Sequence, residues 1–446
     1  MGFRVNWNSG NPVAIVGGNY NSNANYGFFY LNANYTASET NANVGSRHLV
    51  LCIIAQINPY RLVKILPIRT WPSRTLSNRL EANKEMIPMP KKVGFLYERM
   101  CDRDMIRAAI REGTRGKKKR WDVKKVLDDE EGYIERAYTM LVNHAYVPTP
   151  PKSKEIFDRT CMKVRTIQIV PFYPDGLMHQ LCVMAMQDVL MRGMYRWSCA
   201  SIPGRGNKCA MRYVRRALDK DRKGTKHCLK MDIKRFYPSV SPRRLIWALA
   251  RKVKDKLFLK TVYDIMVSNP DGGLAIGFYI NQWLANYYLE PIDHFIRTLP
   301  GVKYYVRNMD DMVLLGPNKK KLHRARVAIE SFLWVRLRLR LKENWQVFPV
   351  KSRGIDFVGY RFWHTHTTMR RRNFLRFARQ CRRVAKMIRE HRPIPFRAAA
   401  GLLSRAGQLK HCNSLGIRQR YFDPIKAKTL KAVVREHSRQ QQLAAA

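Results

Sequence analysis

The sequence predicts an α+β protein, an antiparallel sheet with helices packed on one face. Three features predict it. Cys228 to Ile233 is a short apolar strand. Lys303 to Leu315 reads as a hairpin with its turn near Asn308-Met309-Asp310. Trp345–Pro349 and Ile355–Trp363 read as a further pair of strands. Helix patterns separate these strands, over Pro242 to about Leu259 and over Gln282 to Leu299.

Upstream, Leu96, Met100, Met105, Ile106, Ala109 and Ile110 recur at helical spacing. Gly113-Thr-Arg-Gly-Lys-Lys-Lys-Arg120 follows as a flexible, phosphate-facing loop. A second helix covers about 129–145 and stops at Tyr146-Val-Pro-Thr-Pro-Pro151, where prolines exclude helix. Residues 162–170 alternate like a half-buried strand. A helix over about 175–194 leads to the loop Ser201-Ile-Pro-Gly-Arg-Gly206. From Arg370 onward the chain is helical and strongly basic.

The 446 residues are enough for two or three domains. Lys and Arg number 83 against 33 Asp and Glu, a net charge of +50. Such a surplus repels itself and calls for a polyanionic partner. Nucleic acid fits, because the cations are spread along the chain as along a groove. The nine cysteines show no CxxC pair and read as reduced thiols. The most apolar run, Leu49 to Ile57, is too short to span a bilayer, so the expectation is a cytoplasmic protein with no membrane partner.

Residues 1–47 stand apart. Asn recurs eleven times among Tyr, Gly and Ala, with no Lys and Glu39 as the only acid. Residues 48–90 form a proline-containing linker with two internal candidate starts, Met86 and Met89.

The chemistry lies in three carboxylates. Asp232 ends an apolar strand, and Asp310-Asp311 lies between the apolar runs Tyr304-Tyr-Val and Met312-Val-Leu-Leu315, about 80 residues later. An Asp pair in a turn is ordinary turn chemistry. Between two apolar strands, with a strand-ending Asp upstream, it becomes a set of hard oxygen ligands for Mg²⁺. Two such ions stabilise the attacking and leaving oxygens of nucleotidyl transfer.

The order of motifs resembles that of reverse transcriptases. Leu229-Lys-Met-Asp-Ile-Lys-Arg-Phe-Tyr-Pro-Ser-Val240 resembles their first catalytic motif, and Gly273-Leu-Ala-Ile-Gly-Phe-Tyr-Ile-Asn-Gln-Trp-Leu-Ala-Asn286 the nucleotide-binding motif. Arg307-Asn-Met-Asp-Asp-Met-Val-Leu-Leu315 resembles the Tyr-x-Asp-Asp motif. Trp345-Gln-Val-Phe-Pro-Val and Ser352 to Phe362 resemble the last palm segments. The resemblance covers roughly 92–420 and implies a right-hand polymerase fold, with fingers and palm over 91–362 and a basic helical thumb and tail over 363–446. Ile276-Gly-Phe-Tyr-Ile-Asn-Gln282 resembles the form found in diversity-generating retroelements, as does Gly407-Gln-Leu-Lys-His-Cys-Asn-Ser414. That group copies a template-repeat RNA into cDNA with errors opposite adenine, and the leader resembles a translated template repeat. A disordered extension and a lectin-like fragment remain alternatives for the leader. For the whole chain, a group II intron or retron-type reverse transcriptase and a catalytically weak RNA-binding scaffold remain open.

The resemblance implies roles residue by residue. Asp232, Asp310 and Asp311, with the backbone carbonyl of Ile233, hold two Mg²⁺ ions. Arg165 meets the incoming triphosphate, and Tyr237 excludes a ribose 2′-hydroxyl. Ile276, in place of a Gln, with Gly277 and Gln282, completes the nucleotide site. A branched apolar side chain there cannot hydrogen-bond, so pairing is checked less tightly. Arg205 between Gly204 and Gly206, with Asn308, Met309 and Gly359, contacts template and primer. Asn308 replaces the usual Tyr and Asn281 the usual Ser. Implied partners are template RNA, cDNA, dNTPs and a basic accessory variability determinant protein.

Overall fold

The computed structural model describes residues 92–158 and 162–443. The leader, the linker and the two internal starts lie outside the described residues.

Four helices open the described chain: α1 (Leu96–Met100), α2 (Arg103–Thr114), α3 (Trp121–Asp128) and α4 (Glu130–Val142). Asp102 starts α2 by accepting from the amides of Asp104 and Met105. The segment expected as a flexible basic loop is instead a tight turn. Lys117 folds back onto the Gly113 carbonyl at 3.0 Å, and Arg120 pairs with Asp122 at 2.6 Å.

Next, β1 (Lys152–Asp158) and β2 (Lys163–Ile169) pair antiparallel as a two-stranded ribbon. The half-buried strand expected over 162–170 is therefore a correction. Only Gln168 of β2 is buried, because no further layer among the described residues covers the rest of the ribbon. The chain continues through α5 (Leu177–Met191), buried over most of its length, and α6 (Asn207–Lys220).

The central sheet is built from β3 (His227–Asp232), β4 (Tyr304–Asn308), β5 (Asp311–Gly316) and β6 (Gln346–Pro349), in the order β4-β5-β3-β6 and antiparallel throughout. Between β3 and β4 run α7 (Pro242–Leu249), α8 (Lys256–Val267), α9 (Tyr279–Tyr288) and α10 (Glu290–Thr298). The single helix expected over 242–259 is broken. Val253 bridges Val93, and the Asp255 carboxylate caps a new helix through the Phe258 amide at 3.0 Å. The helix expected over 282–299 likewise divides at Leu289, since Pro291 fits only the first turn of a helix. After β5, α11 (Lys319–Phe332) is capped by Asn318.

The strands expected to pair with one another at 345–363 belong to different sheets. β6 joins the central sheet, while β7 (Ile355–Phe357), β8 (Tyr360–Phe362) and β9 (Thr367–Met369) form a second sheet. Gly354 makes the exit: its φ is 68°, and a Cβ there would meet the Trp363 ring at 2.5 Å.

Both faces of the central sheet are covered. Leu229, Met231, Met312 and Leu314 share a core with α9, α10 and α11. Cys228, Val313, Leu315 and Phe348 share another with α6 and the second sheet. The C-terminal helices α12 (Arg371–Arg389), α13 (Phe396–Gln408) and α14 (Ala427–Leu443) have their own small core around Phe377, Leu402 and Leu430. The α+β class holds, with helices on both faces of the central sheet instead of one. The seven described cysteines are free thiols. No described helix is long and apolar enough to cross a membrane.

Candidate active site

Antiparallel pairing places Asp232, the last residue of β3, directly opposite Asp311, the first of β5. Alternate strand residues share a face, so Cys228, Lys230 and Asp232 project with Leu315, Val313 and Asp311. The apolar members of this set are buried under α6 and the second sheet, whereas both aspartates are only partly buried. Asp310 lies in the turn between β4 and β5, beside Met309 with φ 60°.

The electrostatics follow from this crowding. Burial, then the Asp232 carboxylate, pushes Asp310 up to about 7. Burial raises Asp311 to about 6, with Lys230 opposing and Asp232 adding to the rise. Two ammonium groups answer the carboxylates. Lys342 donates to Asp232 through its side chain, and its amide donates to the Asp232 carbonyl at 2.8 Å. Lys230 stands 3.5 Å from Asp311 Oδ2 and donates to the Asp356 carbonyl at 2.5 Å. Asp311 Oδ1 is buried without a hydrogen-bond partner.

Among the described residues, no three His, Cys, Asp or Glu side chains are drawn around one point tightly enough to hold an ion unaided. The donor set nevertheless fits a hard dication. It offers carboxylate oxygens only, one of them buried and orphaned. Mg²⁺ takes one or two protein carboxylates and completes its shell with water and substrate phosphate, so a closed protein cage is not required. Ile233 is buried beside Leu341, which bridges it.

The Tyr237 hydroxyl reaches Met309 Sδ at 3.8 Å, so this ring lies at the carboxylate turn. Burial and then Asp310 raise it to about 12, which keeps the phenol neutral. The Tyr237 carbonyl accepts from Leu274 at 2.9 Å and draws the 273–277 loop alongside. There the Ile276 carbonyl accepts from the Gln168 amide at 2.8 Å, which ties the loop to β2. Gly277 has φ 118°, and a Cβ would clash with the Gln168 carbonyl, so this approach requires glycine. Asn281 is buried and braces the loop through the Ala275 carbonyl at 3.1 Å. Gln282 is exposed on the first turn of α9.

Arg165 stands opposite Ile156 in the ribbon and pairs with Asp158 at 3.2 Å. Asn308 faces Asp311 across the hairpin, with its Oδ1 buried and unpartnered. Arg205 lies in the loop before α6. Its Nη1 donates to the carbonyls of Tyr195 at 2.7 Å and Ser198 at 3.1 Å, so that nitrogen braces a turn. Gly359 lies between β7 and β8, and its carbonyl accepts from the Arg370 amide at 3.0 Å at the start of α12. The fold thus gathers Asp232, Asp310, Asp311, Tyr237, Asn308 and Met309 directly, and Ile276 and Gly277 through Leu274.

The sequence matches no family model and no curated protein. Among solved structures, the chain is similar to apo telomerase from Candida tropicalis, with 16% identity, a TM-score of 0.37, and 49% of this chain and 48% of that one covered. It is also similar to telomerase from Candida albicans in complex with a TWJ fragment of telomeric RNA, with 14% identity, a TM-score of 0.35, and coverage of 51% and 50%. The match spans about half the length of these chains. The functional case rests on the site itself.

Sequence reasoning missed what holds the turn in place. Arg307 is fully buried and forms a bidentate pair with Asp293, at 2.7 and 2.6 Å. Its Nη1 also donates to the Met309 carbonyl at 3.0 Å, immediately before Asp310. One signal was available: Asp293 follows Ile292 and precedes Ile296 on the buried side of α10, and an acid there demands a partner. Lys342 gave none, since it lies in a run of alternating basic residues.

Proposed function

We propose that the chain is an RNA-directed DNA polymerase that extends a primer along an RNA template with dNTPs. The observation that carries this reading is the convergence of Asp232, Asp311 and Asp310 on one end of an antiparallel sheet, from positions about 80 residues apart. Two Mg²⁺ ions bound there would stabilise charge on the attacking and leaving oxygens. Asp232, Asp310 and Asp311 would hold them, with the Ile233 carbonyl as a further ligand. Tyr237, neutral and packed against Met309, limits the space for a 2′-hydroxyl. Arg165 supplies charge toward the triphosphate, and the surplus of Lys and Arg neutralises template and primer phosphates.

The finer reading is a mutagenic retroelement enzyme that copies a template repeat with errors at adenine, alongside a basic accessory variability determinant protein. It is supported by Ile276, an apolar side chain in a loop tied by backbone to both Tyr237 and β2.

Primer extension on an RNA template with Mg²⁺ tests both levels. Asp310→Ala should lower synthesis by at least about 10³-fold, roughly 4 kcal/mol, with RNA affinity nearly intact. Near-normal extension by that variant overturns the assignment. Sequencing cDNA from wild type and Ile276→Gln tests the finer reading. A lower error rate opposite adenine in the variant is expected, and equal rates reduce Ile276 to packing.

A further inference from the structure

A basic surface lies on the α9–α11 side of the central sheet. The helices α9, α10 and α11 share a core with Leu229, Met231, Met312 and Leu314, whereas Asp232 and Asp311 project from the other face. Two grooves meet along α10. One, about 660 Å³, is lined by Trp247, Tyr287 and Phe332 with Arg244, Arg251 and Arg336. The other, about 460 Å³, is lined by Tyr195 and Trp197 with Arg192, Arg196, Arg297 and Lys303. They adjoin at Gly193, which lines the second groove and lies against Glu290 and Lys252 of the first. Glu290 and His294, with Arg297, are spaced along one side of α10, so the two grooves form one track.

Charge and chemistry select the occupant. Five Lys or Arg line the first groove and four the second, while Glu290 is the single lining carboxylate and is already held by Lys252 at 2.8 Å. The track therefore complements a polyanion. It also interleaves cations with rings. Trp247 is 69% exposed with the Arg251 guanidinium 5.7 Å from its ring centroid. Arg196 lies 5.2 Å from the Trp197 ring, and Arg297 lies 5.8 Å from that of Tyr195. The exposed Trp247 ring and the half-buried Trp197 ring, each beside a guanidinium, suit unpaired bases, which stack on aromatic faces while their phosphates are neutralised. A duplex keeps its base faces hidden.

We propose that this track binds single-stranded nucleic acid, at a site separate from the carboxylates. The inference is independent of the polymerase reading, because binding is measured without synthesis. The experiment uses the full chain and a fluorescent single strand of about 20 nucleotides, as RNA and as DNA, with excess unlabelled template-primer duplex present. Trp247→Ala should weaken binding of at least one strand about tenfold. Arg251→Ala and Arg297→Ala should each lower the salt dependence by about one ion. Because all three side chains are exposed, the fold should be retained, as circular dichroism checks. Photo-crosslinking with thiouridine RNA should label the peptides carrying Trp247 or Trp197. Unchanged affinity in all three variants overturns the proposal, as do crosslinks confined to other peptides. Labelled polyglutamate bound as tightly, and lost equally with Trp247→Ala, would also overturn it and assign the track to an acidic protein partner.

Discussion

The two faces of the central sheet treat charge in opposite ways at nearly the same position along the strands. On the face covered by α9, α10 and α11, Arg307 is closed off from water with every partner in place. Its nitrogens reach both Asp293 oxygens, the Asn286 side chain at 3.1 Å and the Met309 carbonyl at 3.0 Å, while Tyr305 donates to Asp293 at 2.6 Å. On the other face, three carboxylates meet two lysines, and Asp311 Oδ1 is left without a partner. A closed network fixes geometry, because each member is costly to leave unpaired. An open cluster with surplus oxygen can receive a cation. The first holds the turn that presents the second.

Breaking the closed cluster should have the largest effect on stability. Arg307→Met leaves the buried Asp293 without a counter-charge and should cost about 3–5 kcal/mol in urea unfolding. Replacing both partners by apolar residues should cost less than that single change. A loss below about 1 kcal/mol for Arg307→Met would remove the distinction between the faces.

His179 provides a neutral point of reference. Burial alone lowers it from 6.5 to about 3, against Phe278 at 4.9 Å. Between those values the unfolded chain binds a proton that the folded chain refuses, so stability is intact above about 6.5 and falls as pH drops. At pH 5 the loss should be about 2 kcal/mol. Unfolding of wild type and His179→Gln at pH 8 and pH 5 checks it, and an equal pH loss in both would rule this residue out.

The open cluster should respond with the opposite sign. Asp310→Asn removes one of three crowded carboxylates and, without divalent cations, should raise stability by about 1 kcal/mol while synthesis is lost. A destabilisation comparable to that of Arg307→Met would make both clusters structural.

The smallest change is expected at Lys342, whose side chain is 38% exposed. Lys342→Ala should alter stability by less than about 1 kcal/mol. It should also tighten Mn²⁺ binding, read by electron paramagnetic resonance, because Asp232 loses a competing cation. Weaker Mn²⁺ binding would show that Lys342 builds the site instead of competing for it.

The sequence by itself determined the strands around Asp232 and Asp310-Asp311, since apolar runs bounded by turn residues are local signals. It also determined the basic C-terminal helices and the surplus of Lys and Arg, because composition and periodicity require no long-range contact. It did not determine which strands pair. β6 and β7 are separated by five residues, yet the turn at Gly354 sends them to different sheets. It read 242–259 as one helix, because the bridge from Val253 to Val93 joins residues 160 positions apart. It did not determine that Arg205 Nη1 would donate to the carbonyls of Tyr195 and Ser198. Only the tertiary structure decided that Arg307 and Asp293 brace the turn carrying Asp310 and that Lys342 faces Asp232. Those pairings depend on which side chains are excluded from water together, and desolvation belongs to the folded chain, not to any segment of it.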